Sequence, residues 1–414
     1  PAVRAQGDRG AGRGESELMD ILLKNLRPLG QETCDMEVRA GRIARIGKDL
    51  AAPDLPVEDC GGALALPGLV EAHTHLDKSL WGMGWREHQA GPSLRDKIDN
   101  ERKLRKEWNI DPYRQSMRQA LLSLGHGSTA IRSHVDTDTD CGLAGIEGVA
   151  RTREELAGQI DIEIVAFPQS GLMSRPGTLE LMERALQGPA DVVGGLDPCG
   201  IDADPKGQLD AVFALAEKYG KPIDIHLHEP GELGAFSMEM ILDRTRAHGM
   251  QGRVTISHAF CLGMPDRDRA RALVAELAEA QVHIATVATP SRPVPLAEDL
   301  RAAGVVLCAG SDGIRDTWGP YGNADMLERA MLLGLRNNLR ADRDVEHAFW
   351  CCSGAGARVM GLAGHGITEG CTADLVLVEA ETVTHAVVSH PPRRLVLKAG
   401  RIVARDGKAL QEAP

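Results

Sequence analysis

The sequence predicts an α/β fold in which a (β/α)8 TIM barrel carries a small β-sandwich domain formed from both chain ends. Between residues 66 and 365, short apolar runs alternate eight times with helical patterns, as in parallel βαβ units. Side chains that commonly bind metals or substrates follow one run after another. Residues 19–65 and 366–414 are instead rich in short β-type segments separated by Gly and Pro, which predicts the small domain.

The eight apolar runs are the candidate barrel strands. In chain order they are ALPGLVEAH, STAIRSHVD, IDIEIVAFP, ADVVGGLD, PIDIHLHE, RVTISHAF, VHIATVAT and VVLCAGSD. Intervening segments such as SMRQALLSLGHG and RARALVAELAEAQ place apolar residues every three or four positions, which is typical of amphipathic helices. An open, doubly wound sheet would alternate similarly, but no G-x-G-x-x-G turn follows the first strand, so the pattern favours a barrel.

The terminal segments predict one shared sheet. The motif AGRI occurs at residues 40–43 and again at residues 399–402, each time within a β-rich stretch. Because chain termini commonly lie close together, strands from both ends most simply join into one small domain. We expect residues 1–18 to form a flexible arm.

Composition and charge exclude several classes of protein. The 59 acidic and 47 basic residues give a formal net charge of -12, and no dense run of Lys and Arg could follow a phosphate backbone, so we expect no nucleic-acid partner. No apolar run approaches the roughly 20 residues that cross a bilayer, so we expect no membrane partner. The nine cysteines are scattered without a CxxC pair, which predicts neither a disulfide framework nor a thiolate zinc site and indicates a reducing cytoplasm.

Polar side chains gather at the carboxyl ends of the predicted strands, where barrel enzymes place their active sites. In strand order they are His73 and His75, His134 and Asp136, Gln169, His226 with His228 and Glu229, His258, and Asp312. This repetition predicts a site at the mouth of the barrel.

The pair His73 and His75 suggests a metal. Residues two apart on a strand project on the same face, so both imidazoles can converge on one ion. Imidazole and carboxylate donors without thiolate suit Zn²⁺ or Fe²⁺, and also Mn²⁺. Taken alone, the pair could equally be two hydrogen-bonded histidines, but similar side chains at further strand ends favour the metal site.

Several stretches carry a resemblance to a known family. PGLVEAHTHLDKS resembles the amidohydrolase superfamily, whose first barrel strand ends in such a His pair. Further stretches, including IVAFPQSG, IDIHLHE, VTISHA and AGSDGIRDTWGPYGNADM, are similar to the cytosine deaminase branch and the related N-isopropylammelide isopropylaminohydrolases. The likeness covers nearly the whole chain from Met19 onward.

This resemblance implies one divalent metal ion per chain and a set of residue roles. The implied metal ligands are His73, His75, His226 and Asp312. The implied catalytic residues are Glu229 as proton shuttle and His258 against the attacking hydroxide. In the mechanism that we expect from these residues, Asp312 is a second proton carrier. The implied substrate contacts are Gln169 and Trp318. His228 is two residues from His226 and so shares its face of the strand, which makes it either a further ligand or a substrate contact.

Some of these residues also have plainer interpretations. Gln169 could simply hold its loop, and Trp318 could be core packing. Asp136 is interpreted as a partner that orients a ligand imidazole, in preference to direct catalysis. Lys78 could form a surface ion pair with Asp77.

Two departures from the family pattern concern the substrate. Cytosine deaminases carry a second Asp directly after the ligand Asp, where this chain has Gly313. That change removes a polar contact near the substrate. The stretches HTHLDKS and SDGIRDTW are closer to the isopropylammelide enzymes, although Glu229 stands where those enzymes have Asp.

The leading hypothesis is an aminohydrolase of cyclic amidines that removes an exocyclic amine from a pyrimidine- or triazine-type heterocycle by attack of metal-activated hydroxide. One alternative is an amine hydrolase of the N-isopropylammelide type. A cyclic amidase of the same superfamily would need a lysine bridging two metals, and no Lys ends the third or fourth strand. A non-catalytic barrel would not keep the whole set of ligands. We expect a homo-oligomer whose partner is the small heterocycle.

Overall fold

The computed structural model describes residues 20–413, so the predicted arm over residues 1–18 lies outside the described part of the chain. Its strands form two sheets, an eight-stranded parallel barrel and a nine-stranded sheet built from both chain ends. Among the described residues, no helix is both long and apolar enough to span a membrane.

The small sheet takes five strands from the first part of the chain and four from the last. The first five are β1 (Ile21–Pro28), β2 (Cys34–Arg39), β3 (Arg42–Gly47), β4 (Val57–Asp59) and β5 (Leu64–Pro67). After the eight barrel strands follow β14 (Leu375–Val378), β15 (Arg393–Lys398), β16 (Arg401–Arg405) and β17 (Lys408–Ala409). Strand β1 pairs with both β2 and β5 and so belongs to both halves of the sheet.

The two halves enclose one apolar core, as expected for a sandwich formed from both chain ends. Leu23 and Met36 come from one half, Leu375 and Leu395 come from the other, and all four are fully buried in the same cluster. The prediction of a small β domain made from both ends is therefore confirmed.

The barrel strands follow the eight predicted runs in order. They are β6 (Leu69–Thr74), β7 (Ser128–Asp136), β8 (Asp161–Phe167), β9 (Val192–Leu196), β10 (Ile223–His226), β11 (Val254–Ser257), β12 (His283–Thr286) and β13 (Leu307–Ala309). Each strand pairs in parallel with its neighbour, and a bridge between Thr74 and Asp312 joins the last strand to the first. The predicted TIM barrel is confirmed.

Glycine makes this closure possible. A Cβ on Gly310 would lie 2.4 Å from the carbonyl oxygen of His73, so a larger residue would push the two strands apart. The backbone N–H of Asp312 donates to the same carbonyl at 2.9 Å. The closure therefore places Asp312 directly beside His73.

Twelve α-helices in the described residues connect the strands and cover the barrel. They are α1 (Leu94–Glu107), α2 (Pro112–Gly125), α3 (Ala144–Glu155), α4 (Thr178–Gln187), α5 (Pro205–Tyr219), α6 (Gly231–Ala247), α7 (Arg267–Glu279), α8 (Ala297–Ala303), α9 (Met326–Arg336), α10 (Asp342–Cys351), α11 (Gly354–Val359) and α12 (Val383–Ser389). Helix α1 begins at a capping box formed by Ser93 and Asp96, which satisfies backbone N–H groups of its first turn. It brings charged side chains to the barrel mouth.

Candidate active site

A cluster of buried histidines surrounds Asp312 at the mouth of the barrel. His73, His226, His258 and Asp312 each place one possible ligand atom within 4.8 Å of the others. The fourth predicted ligand, His75, has its Nε2 3.2 Å from Oδ1 of Asp312, while Nε2 of His73 lies 3.6 Å from that oxygen. The structure therefore brings all the predicted ligands together and adds His258.

Hydrogen bonds to the far nitrogens orient the first two rings. Nδ1 of His75 donates to the carbonyl oxygen of His134 at 3.0 Å, so Nε2 carries the lone pair when the ring is neutral. Burial lowers the pKa of His75 to about 4, and the charge of Lys78 acts in the same direction. A neutral ring then points a lone pair at the Asp312 carboxylate, an arrangement that a cation stabilises.

The nitrogens of His73 are arranged in the same way. Its Nδ1 lies 2.9 Å from the hydroxyl oxygen of Ser257, which itself donates to Asp224 at 2.6 Å. The Ser257 hydroxyl hydrogen is thus used by Asp224, and its oxygen accepts from Nδ1 of His73. This leaves the lone pair of Nε2 directed at the cluster, and such support of a ligand imidazole is common at metal sites.

The unpaired ring nitrogens show that the residues fit a divalent ion. Within residues 20–413, Nε2 of His73 and both ring nitrogens of His226 and His258 are buried without a hydrogen-bond partner. Each buried unsatisfied polar atom costs about 1–3 kcal/mol, and a bound ion would offset this cost at one nitrogen of each ring. Burial, followed by neighbouring histidines, lowers the pKa of His226 and His258 well below the usual range, so both are neutral.

A deeper group of His73, His134 and Asp224 also lies within 4.8 Å. There, however, the guanidinium of Arg132 donates to Asp224 at 2.9 Å and already supplies positive charge. The deeper group is therefore a poorer place for a cation than the cluster at Asp312.

A cavity of about 520 Å³ opens over the cluster. Its lining includes all three predicted substrate contacts, Gln169, Trp318 and His228, and three of the four predicted ligands, His75, His226 and Asp312. Its volume is in the range of sites that enclose small molecules.

Glu229 is not among the described residues that line this cavity. One oxygen of its carboxylate accepts from the backbone N–H groups of Cys199 at 2.8 Å and Gly200 at 2.7 Å, and the other accepts from the hydroxyl of Ser237. The predicted proton shuttle is thus held by the loop after β9 and by helix α6.

His228 faces the cavity instead. Its Nδ1 donates to Oδ2 of Asp197 at 2.7 Å, and its backbone N–H donates to Oδ1 of the same residue at 2.6 Å. Its ring stacks on His258 with centroids 4.3 Å apart. Burial lowers the pKa of His228, but Asp197 outweighs burial, and the net shift is upward. Asp197 directly follows strand β9 and was missed in the sequence, although an Asp at the carboxyl end of a strand is a recognisable signal.

Lys78 is not half of a surface ion pair with Asp77, contrary to one interpretation of the sequence. It is 3% exposed, and its ammonium donates to Gln169 Oε1 at 2.7 Å and to Asp136 Oδ1 at 3.1 Å, with Glu101 also 3.1 Å away. Helix α1 covers this side of the barrel mouth and buries the lysine with its partners.

The sequence suggested that Asp136 orients a ligand imidazole, but helix α1 gives it other partners. Its second oxygen accepts from Arg105 of α1 at 2.7 Å, so both oxygens bind cationic side chains. Glu101 of α1 accepts from the indole N–H of Trp318. Trp318 is therefore tied to the cavity wall by its polar end. Glu101 and Arg105 were not foreseen, because a helix with Glu and Arg four residues apart is typical of an exposed surface.

Comparison with known proteins identifies the family to which the chain belongs. A model of the amidohydrolase family matches residues 56–404. N-isopropylammelide isopropyl amidohydrolase of Pseudomonas sp. (strain ADP) is 31% identical over 397 residues, which cover 94% of this chain and 98% of that protein.

Two solved structures share the fold over nearly the whole chain. N-isopropylammelide isopropylaminohydrolase of Burkholderia multivorans is 48% identical with a TM-score of 0.91, covering 95% of this chain and 100% of that one. The 5-methylcytosine deaminase of Klebsiella pneumoniae is 26% identical with a TM-score of 0.82, covering 96% of this chain and 99% of that one. The resemblance inferred from the sequence is confirmed: the chain belongs to the amidohydrolase family and is a hydrolase that acts on C–N bonds.

Proposed function

We propose that this protein removes an exocyclic amine from a pyrimidine- or triazine-type heterocycle by hydrolysis, with one divalent metal ion in its site. The observation that carries the proposal is the convergence of buried imidazole nitrogens on Asp312 beneath a cavity of about 520 Å³. The overall reaction replaces a C–N bond by a C–O bond, and the released amine gains a proton from water.

The proposed ligands are His73, His75, His226 and Asp312, and Zn²⁺, Fe²⁺ or Mn²⁺ suits this donor set. A bound ion of this kind supplies hydroxide near neutral pH by lowering the pKa of water. Arg132 disfavours a second cation deeper in the barrel, and within residues 20–413 no Lys stands at the carboxyl end of strand β8 or β9. A cyclic amidase with two bridged metals is therefore the weaker alternative.

The reaction also needs groups that move protons at the substrate. We assign one transfer to Asp312, which lies within the cluster and lines the cavity. For the transfer to the ring nitrogen, His228 is supported by its position in the cavity and by its hydrogen bond to Asp197, which fixes the ring. Glu229 is the candidate from the sequence for the same step, and His258 remains the candidate for contact with the attacking oxygen.

The walls of the cavity orient the ring. The Oε1 atom of Gln169 accepts from Lys78, so its NH2 group is the part left to donate to a ligand. A carbonyl oxygen or an unprotonated ring nitrogen would satisfy that donor. The indole of Trp318, held through Glu101, provides a flat apolar surface for a heteroaromatic ring.

Within this class, an alkylamino-triazine substrate is the second, more specific candidate. It is favoured by the 48% identity to a solved N-isopropylammelide isopropylaminohydrolase, against 26% for the 5-methylcytosine deaminase.

All nine cysteines are free thiols, which supports the proposed cytoplasmic location. The homo-oligomer remains a prediction.

A release assay tests the proposal. The purified protein is incubated with cytosine, isocytosine, 5-methylcytosine, ammelide and N-isopropylammelide, and ammonia and isopropylamine are measured. Release of isopropylamine would assign the alkylamino-triazine class, and release of ammonia would assign the deaminase class. A protein that holds its metal and releases neither amine from any of the five compounds would contradict the proposal.

A further inference from the structure

The residue after the proposed ligand Asp312 is a glycine for a steric reason. A Cβ on Gly313 would lie 1.8 Å from Oδ2 of Asp316 and 2.7 Å from its Cγ. Any other residue at this position would displace the Asp316 carboxylate. Because residue 313 is glycine, the side-chain carboxylate of Asp316, three residues later, can lie beside Asp312.

The loop holds Asp316 firmly by one oxygen. Its Oδ1 accepts from the backbone N–H groups of Trp318 at 2.8 Å and Gly319 at 3.1 Å. Its backbone carbonyl accepts from the ring of His88 at 2.5 Å. The residue is only 5% exposed, so the carboxylate has a defined position rather than a choice of rotamers in solvent.

The other oxygen is left for a ligand. No side chain or backbone group from residues 20–413 donates a hydrogen bond to Oδ2 of Asp316, and both Asp316 and Gly313 line the cavity. A largely buried carboxylate oxygen without a donor is costly, and water or a ligand N–H must satisfy it. Because Asp312 also carries a carboxylate nearby, this edge of the cavity favours hydrogen-bond donors.

We infer that Asp316 is a specificity-determining residue that accepts a hydrogen bond from a ring N–H of the substrate. The inference rests on the proposed function and narrows its substrate class. The NH2 group of Gln169 can donate a hydrogen bond to an acceptor on the substrate, and Oδ2 of Asp316 can accept one from a donor on the substrate. An oxo-substituted nitrogen heterocycle with a ring N–H offers both groups, whereas a fully aromatic ring without an N–H does not.

The variant Asp316→Asn separates recognition from loop support. An Asn side chain keeps Oδ1 for the two backbone N–H groups and places an NH2 group where Oδ2 faces the cavity. If Asp316 only supports the loop, the variant keeps wild-type kinetics. If Asp316 accepts a substrate N–H, kcat/KM falls by about 10- to 100-fold, mainly through KM, while metal content is unchanged.

Two further variants and one analogue complete the test. Gly313→Ala should lower kcat/KM in the same direction, because its methyl group pushes the carboxylate aside. Asp204→Asn is the matched control, since Asp204 accepts the backbone N–H of Gly207 at 2.8 Å on an exposed helix end, and its kinetics should not change. The wild type should discriminate against a ring-N-methylated analogue of its substrate, and Asp316→Asn should lose that discrimination.

The outcomes separate this inference from the proposed function. If the wild type hydrolyses a panel compound and Asp316→Asn has a kcat/KM within twofold of it, the inference is wrong and the proposed function stands. If the wild type hydrolyses none, the proposed function fails, and calorimetric binding of the same five compounds then decides the inference. Tighter binding by the wild type than by Asp316→Asn supports it, and equal affinity, including no binding by either protein, overturns it.

Discussion

The ammonium group of Lys78 donates to Oε1 of Gln169 at 2.7 Å, and this contact fixes which end of the amide faces the cavity. An ammonium group can only donate, so the atom beside it must be the amide oxygen. Lys78 is held in turn by Asp136 and Glu101. A lysine in the wall of the cavity thus determines the hydrogen-bonding character of the substrate site.

Gln169→Glu should weaken substrate recognition without loss of folding. The carboxylate keeps the contact to Lys78 but replaces the amide NH2 donor by an acceptor. We expect kcat/KM to fall by about 10- to 100-fold with unchanged metal content. Steady-state kinetics on the best substrate of the panel measure this effect, and unchanged kinetics would return Gln169 to a role in its loop.

The metal ligands are distinguished by comparing His75→Asn with His258→Asn. His75 is a proposed ligand, so its replacement should reduce bound metal well below one ion per chain. His258 belongs to the same cluster but is proposed to contact the attacking oxygen, so its variant should keep the ion and lose about 10²- to 10⁴-fold in kcat. Metal content by mass spectrometry and kcat are both measured. A loss of metal only in His258→Asn would exchange the two roles.

A second pair of variants identifies the proton carrier. Glu229 bonds to Cys199, Gly200 and Ser237, whereas His228 faces the cavity. We therefore expect His228→Asn to lower kcat by about 10²- to 10⁴-fold. Glu229→Gln should have the smaller effect on kcat and leave metal content unchanged. The reverse order of the two effects would restore Glu229 as the shuttle predicted from the sequence.

An ion pair between the barrel and the small domain should make stability depend on acidity. Asp325 precedes helix α9 and binds Arg393 of β15, which is 2% exposed. Burial raises the pKa of Asp325, but the hydrogen bond from His126 and the charge of Arg393 outweigh burial and lower it to about 2. A carboxyl group with a lowered pKa stabilises the fold above its unfolded value near 4, and this contribution of roughly 2 kcal/mol is lost as the pH falls from about 4 towards 2.

Asp325→Asn should therefore reduce the free energy of unfolding at pH 7 by about 3 kcal/mol, because Arg393 stays buried without its partner charge. The difference from the wild type should shrink as the pH falls below 4. Urea unfolding at several pH values measures both effects. Asp266→Asn is the control, because Asp266 caps an exposed helix end through the N–H of Arg269. A difference between Asp325→Asn and wild type that does not change with pH would contradict this explanation.

The strands and the metal cluster could be predicted from the sequence because both follow local rules. Buried parallel strands are short apolar runs, and the carboxyl ends of such strands meet in a barrel, so His73 and Asp312 could be placed together from their positions on the first and last strands. The same rule would have found Asp197.

The support of the substrate wall could not be predicted, because it depends on how a connecting segment packs. Glu101 and Arg105 lie four residues apart on α1, a pattern that also suits a solvated helix, and only the fold buries them against Lys78 and Trp318. Asp316 was missed for a related reason. Gly313 was interpreted as the loss of a polar contact, whereas the loop returns the carboxylate of Asp316 to that place.

The central claim is a single-metal site for hydrolysis of a C–N bond, and titration of the metal-free protein tests it most directly. Metal-free protein is titrated with Zn²⁺ while amine release from the best substrate is measured. We predict no release without metal, a linear rise with added Zn²⁺, and a plateau at one ion per chain. Full turnover by the metal-free protein, or a plateau reached only at two ions per chain, would contradict the claim.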